Sequence, residues 1–315
     1  MWSARVYFDR LSSVCHRFVR NITTETRKRM RFVQFEVNGA QKVGVELSDG
    51  GDIVDLNAAD KEIPDNLRSF IAGGQAQLLR AKSAVESGHH VIKRDAVRLL
   101  APITAPEKVI CIGMNYTDHC EEQNAPVPVE PVIFSKFASA IVGPYDDLQY
   151  CDETQQLDWE VEMTVVIGKT GRHIKREDAM SHVFGFTVAH DVSARDWQMK
   201  KNGGQWLLGK TMDCFCPLGP AVVMKEDIED PHKLRLWCKV NGVTKQDSST
   251  SNLVHKTEEL LVFLSRFITL KPGDIILTGT PPGVGVFRKP PEFLKRGDVV
   301  ECGIEDIGKT INKVV

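Results

Sequence analysis

Beyond residue 30, apolar and polar positions fall into short runs punctuated by glycine and proline. The first, "RFVQFEVNGAQKVGVEL", alternates on either side of Asn38-Gly39. Asn-Gly accepts the positive φ angles of a tight turn, so this stretch predicts a β-hairpin. "GGDIVDLNA" predicts another strand. Residues 61–88 change to helical spacing, with Leu67, Phe70, Ile71, Leu78 and Leu79 as the apolar stripe and Gly73-Gly74 dividing two helices. These elements predict a small α+β domain over 31–98.

"LLAPITAPEKVIC", with Pro102 and Pro106, marks a boundary. Beyond it strands are predicted at 108–112, 132–135, 159–167, 184–191, 219–224, 234–240, 274–279 and 298–304. Asn241-Gly242 closes a second hairpin, and the phrases "LKPGD" and "LKRGD" each precede a strand. Many strands, few long helices and frequent turns place 99–315 as a β-rich roll or barrel, and the whole chain in the α+β class.

Composition narrows the functional classes. The 315 residues are 42% hydrophobic and 26% charged, as in globular proteins, and the formal net charge is −2. That balance offers no electrostatic reason to bind nucleic acid or an acidic membrane surface, and neither partner is expected. No apolar run approaches the roughly 20 residues of a membrane-spanning helix. Eight cysteines without paired CxxC spacing read as reduced intracellular thiols, neither a disulfide scaffold nor a zinc site. The first thirty residues carry Arg5, Arg10, Arg17, Arg20, Arg27, Lys28 and Arg29 against only Asp9 and Glu25. Rich in Ser and Thr besides, 1–30 reads as a mitochondrial transit peptide, with a basic tail on a cytoplasmic protein as the alternative.

The candidate chemistry begins in "LDWEVEMTVVIG", where Glu160 and Glu162 stand two apart in a strand that is otherwise apolar. Residues i and i+2 of a strand share a face, so two carboxylates meet and repel. Asp191 ends the apolar run "VFGFTVAHD", where Ser193 and Asp196 suggest a capping box for a helix through "ARDWQMKKNG". Three carboxylates without a histidine suit a hard cation such as Mg2+ or Mn2+. On spacing alone, a half-exposed strand balanced by lysines explains the glutamates equally well. His119 and Glu122, three apart after a short strand, can form an acid/base pair or a surface pair. Thr280 lies in the Gly/Pro-rich "LTGTPPGVG", Lys210 lies among apolar neighbours in "WLLGKTMD", and His190 should face away from Asp191.

Six stretches in order over 99–315 resemble the fumarylacetoacetate hydrolase family: "KVICIGMNYTDH", "PVIFSKFASAIVGP", "LDWEVEMTVVIGK", "AHDVSARDWQ", "LLGKTMD" and "GDIILTGTPPGVG". The resemblance implies a β-rich roll, usually a homodimer, holding Mg2+ (or Mn2+ or Ca2+) at Glu160, Glu162 and Asp191. It implies a small keto-acid substrate met by Lys136, Gln198 and Thr280, with Lys210 and the lid dyad His119–Glu122 as proton-transfer groups. Keto–enol tautomerisation of oxaloacetate is the implied reaction, with acylpyruvate C–C hydrolysis or oxaloacetate decarboxylation as alternatives. Fumarylacetoacetase uses a further acidic ligand from an earlier segment, for which this sequence offers no equivalent. A catalytically idle scaffold is the alternative of another class, and the intact set of site residues argues against it.

Overall fold

The computed structural model describes residues 29–315, so the expected leader over 1–30 lies almost entirely outside the described residues. The first strands are β1 (Arg31–Val37), β2 (Ala40–Glu46), β3 (Ile53–Asp55), β4 (Val91–Ile92) and β5 (Arg98–Leu100). The β1–β2 hairpin turns where expected: Val37 pairs with Ala40, and Asn38 and Gly39 both take positive φ. Two helices, α1 (Leu67–Ala72) and α2 (Gly74–Ser87), split at the predicted glycines. Their stripe needs one correction. Leu67, Phe70 and Ile71 are buried, but Leu79 is exposed, and α2 packs inward through Ala81, Ala84 and Val85. The kink at Gly73-Gly74 rotates α2, so the phase read from α1 does not carry across it.

The chain continues with β6 (Val109–Gly113), the short helix α3 (Thr117–Glu122), β7 (Val132–Ser135), β8 (Ile141–Val142), β9 (Leu157–Asp158), β10 (Val161–Ile167) and β11 (Val183–His190). Next come β12 (Ser193–Ala194), α4 (Arg195–Met199), α5 (Leu207–Lys210), β13 (Cys216–Met224), β14 (Arg235–Val240) and β15 (Val243–Ser249). Helix α6 (Thr257–Ser265), β16 (Ile275–Leu277), β17 (Val299–Ile304) and β18 (Gly308–Lys313) complete it. A twelve-stranded sheet runs β4-β3-β2-β1-β13-β11-β10-β16-β6-β7, with β5 added to β1 and β8 to β13. A four-stranded sheet, β15-β14-β17-β18, packs across β10, β11 and β13. The fold is α+β, as expected.

The 31–98 segment has the expected α+β content, but it does not close a sheet of its own. β1 pairs antiparallel with β13, Arg31 against Val223 and Phe32 against Val222, so both segments share one sheet. One apolar cluster correspondingly runs from Met30 to Val314. β10 and β11, at the centre, are buried at every position. Such strands read as near-continuous apolar runs because both faces are covered. They form the floor of the site. No disulfide joins the described cysteines, and no helix among the described residues is long and apolar enough to cross a membrane.

Candidate metal and acid–base site

Glu160 lies just before β10, Glu162 within it, and Asp191 just after β11. The antiparallel register places Val161 opposite His190, and the Asp191 N–H donates to the Glu160 carbonyl at 2.9 Å. Pairing thus brings together carboxylates about thirty residues apart. One oxygen from each of the three lies within 4.8 Å of the others, and all three residues are buried. His190 points to the opposite face, fully buried, and burial holds its imidazole neutral with a pKa lowered to about 3.

The counter-charges come from three separate segments. Lys210, at the end of α5, sends Nζ to Glu160 Oε2 at 2.8 Å and to Asp191 Oδ2 at 2.9 Å. Arg195, at the start of α4, pairs its Nη2 with Glu160 Oε1 at 2.7 Å and donates its Nε to Asp158 Oδ2 at 2.8 Å. Lys136, just after β7, reaches Asp191 Oδ1 at 2.6 Å. Burial opposes the charge on Glu160, but Lys210 and Arg195 outweigh it and hold the carboxyl well below its ordinary range. Burial likewise opposes the Lys210 ammonium, and Asp191 and Glu160 overcome it, so its pKa is raised.

Glu162 differs. Burial pushes its carboxyl well up, and Asp191 and Glu160 push it further, against the Gly279 N–H donating to its Oε2 at 2.7 Å. The Lys210 charge also opposes the rise, but its ion pairs go to Glu160 and Asp191, and among the described residues no cationic side chain pairs directly with Glu162. The donor set is all oxygen, buried and negatively charged, which fits a hard divalent ion such as Mg2+ or Mn2+. Glu160, Glu162 and Asp191 would hold it. Among the described residues this cluster has three members, and no fourth carboxylate joins it.

The expected His119–Glu122 pair is formed. His119 and Glu122 lie on α3, and His119 Nδ1 meets Glu122 Oε2 at 2.8 Å. The other Glu122 oxygen accepts the Gly283 N–H at 2.9 Å, tying α3 to the 280–283 loop. With Nδ1 engaged, Nε2 is the imidazole nitrogen left for chemistry. His119 shares one cavity with Glu160, Glu162, Lys210, Gln198 and Thr280, walled by Met114, Phe134, Met199, Trp206 and Phe287.

Three expectations change in detail. Ser193 does not cap α4: its hydroxyl donates to the Asp191 carbonyl, Ala194 occupies the cap position, and Ser193 pairs with Asp158 in a short bridge of strands. Lys136 does not line the cavity. Fully buried behind Asp191, it also contacts the carbonyls of Val192, Phe215 and Lys210. Thr280 lines the cavity, but its hydroxyl donates to the Val161 carbonyl at 3.0 Å, so its proton is committed to the main chain. Gln198 does stand on the wall. Its Oε1 accepts from Arg195 Nη1 at 2.9 Å, which turns its amide nitrogen free as a donor.

Sequence reasoning missed Arg195, Asp158 and Gln246. A local signal existed for two of them. Asp158, Glu160 and Glu162 alternate, which extends the acidic face by one, and Arg195 falls four residues after Asp191. Gln246 gave none, because its partners lie on another strand and in the loop after β16.

Residues 108–315 match the family model described as "Fumarylacetoacetate (FAA) hydrolase C-terminal". A Xenopus laevis protein named oxaloacetate tautomerase fahd2, mitochondrial, is 59% identical over 94% of this chain and 93% of its own. The human oxaloacetate tautomerase FAHD2A, mitochondrial, is 57% identical over 91% of this chain and 92% of its own. Among solved structures, a fumarylacetoacetate hydrolase from Exiguobacterium antarcticum superposes with a TM-score of 0.77 at 38% identity, covering 90% of this chain and 99% of its own. A maleylpyruvate hydrolase from Sphingobium, in complex with manganese(II) ion and pyruvate, gives 0.74 at 29% identity, over 91% and 99%.

Proposed function

The chain belongs to the fumarylacetoacetate hydrolase family, and from that premise and the site's geometry we propose that it is an oxaloacetate keto–enol tautomerase. One observation carries the reading. Two of three clustered, buried carboxylates suited to a divalent ion, Glu160 and Glu162, share a cavity with a protonated lysine and an oriented histidine, and the third, Asp191, is paired to that lysine. The names of the relatives at 57–59% identity select oxaloacetate among the small keto acids such a site accepts.

Tautomerisation of an enol breaks an O–H bond and forms a C–H bond, with no net loss of protons. When bound, a divalent cation supplies Lewis-acid stabilisation of negative charge on the substrate's keto oxygen. The chain's own groups do the rest. Lys210, held as an ammonium between Glu160 and Asp191, donates a hydrogen bond to the substrate oxygen and stabilises its negative charge as the enol O–H proton leaves to bulk solvent. His119, oriented through Nδ1 by Glu122, exchanges a proton through Nε2 at carbon. The free amide nitrogen of Gln198 donates to a substrate carboxylate. Met114, Phe134, Met199, Trp206 and Phe287 exclude water, which otherwise competes for the same proton positions.

C–C hydrolysis is the second reading, since a water beside His119 would be activated by the same dyad and hydrolases share this fold. The test supplies enol-oxaloacetate, keto-oxaloacetate and an acylpyruvate with Mg2+, following enol absorbance, CO2 and pyruvate. Enol loss without CO2 supports the tautomerase. Pyruvate with a free acid transfers the reading to hydrolysis, and CO2 to decarboxylation. The proposal extends to a homodimer in the mitochondrial matrix: the two relatives are named mitochondrial and 1–30 is basic. Light scattering of the purified protein and imaging of a fluorescent fusion to residues 1–30 test those two points.

A further inference from the structure

We propose that Gln246 is a positioning residue that sets the metal-binding strand, the 280–283 loop and the lid in one register. The proposal rests on the metal and lid reading above. Gln246 lies in the middle of β15 and is 1% exposed. Its Oε1 accepts the Val161 N–H at 2.9 Å, and its Nε2 donates to Thr280 Oγ1 and to the Pro281 carbonyl, each at 2.8 Å. Both amide hydrogens and the carbonyl oxygen are therefore used, on two segments that β15 itself does not pair with.

The need for such a residue follows from where the ladder stops. β16 pairs with β10 only from Thr164 to Val166. Further toward the carboxylates, the chain after β16 keeps contact with β10 through Thr278 N–H on the Met163 carbonyl and the Thr280 hydroxyl on the Val161 carbonyl. The Val161 N–H, between Glu160 and Glu162, is supplied by Gln246 instead. A buried N–H left unpaired is costly, so without this side chain the peptide between Glu160 and Glu162 is driven to move. The same strand fixes the loop by contact. Gly283 has φ +105°, and a Cβ there would stand 2.1 Å from the Lys245 carbonyl, so β15 and the loop touch backbone to backbone. Gly283 in turn holds Glu122, which orients His119.

Gln246→Met removes all three hydrogen bonds at similar volume. The expected result is a 10- to 100-fold weaker Mn2+ affinity by calorimetry, the range for residues that support metal ligands. A rise in KM and a fall in kcat for enol-oxaloacetate should accompany it. A role in stability alone would lower the melting temperature and leave Mn2+ affinity and KM at parental values, and that result overturns the proposal. Gln246→Asn, which withdraws the same amide by one methylene, answers the question should the methionine variant fail to fold. A several-fold weaker Mn2+ affinity supports the proposal, and parental affinity overturns it. If the parent binds Mn2+ yet leaves enol-oxaloacetate unchanged, the substrate reading fails while the Mn2+ measurement still decides the role of Gln246.

Discussion

Lys136 Nζ stands 2.6 Å from Asp191 Oδ1, with both side chains wholly buried. Lys136 does not line the cavity, so it balances the Asp191 charge from outside that lining. Removing one partner of such a pair leaves an uncompensated charge, at a cost of about 3–5 kcal/mol. Lys136→Met should therefore lower the unfolding free energy by about that amount, read from urea denaturation with chelator present. A loss below 1 kcal/mol would show that Lys210 alone suffices for Asp191.

Glu162→Gln should weaken Mn2+ binding by more than the roughly 10- to 100-fold cost of disturbing a supporting residue. In chelator it should also change the pH dependence of stability. Burial, with Asp191 and Glu160, raises the Glu162 carboxyl above its ordinary 4.5, so the folded state binds this proton more tightly than the unfolded chain. Its contribution favours folding below that pH and is lost as pH rises. The variant does not titrate there. Its melting temperature should gain on the parent's as pH climbs above 4.5, and saturating Mg2+ should close the gap. A gap that stays constant with pH would refute this account.

His119→Asn should cut kcat by about 10²–10⁴, the usual contribution of a positioned acid or base, with Mn2+ affinity unchanged. Glu122→Gln should cost less, because the Gly283 N–H and the packing of α3 still hold this helix in place. Steady-state rates beside calorimetry separate the two effects. Weaker Mn2+ binding in either variant would assign the dyad to metal retention instead.

Arg195→Lys keeps the charge and loses the fork. One guanidinium now serves Asp158, Glu160 and Gln198 at 2.8, 2.7 and 2.9 Å, which a lysine ammonium cannot match in plane. The expected outcome is a KM for enol-oxaloacetate raised about tenfold, because the Gln198 amide loses the partner that turns its nitrogen to the cavity. An unchanged KM would remove Gln198 from substrate binding.

Much of the frame was legible because its signals are local. Asn38-Gly39 and Asn241-Gly242 both take the positive φ angles that Asn-Gly tolerates, and each closes its hairpin with the flanking residues paired. The apolar runs around β10 and β11 located the strands within one or two residues, and the ends of those runs located Glu160, Glu162 and Asp191. Local signals also misled. The stripe through Leu79 failed at a glycine kink, and the Ser193 capping box failed because that hydroxyl turns back to Asp191.

What the sequence determined by itself was the turns, the strand spans and the residue types the chemistry needs. Tertiary structure alone decided that β1 joins β13, that Lys136 backs Asp191 from 55 positions away, and that Gln246 bridges to Val161 from 85. Periodicity reports which face of an element is buried, because that depends on neighbours a few residues away. Which distant charge or amide meets that face depends on sheet order and register, set by the whole core, and no local pattern records it.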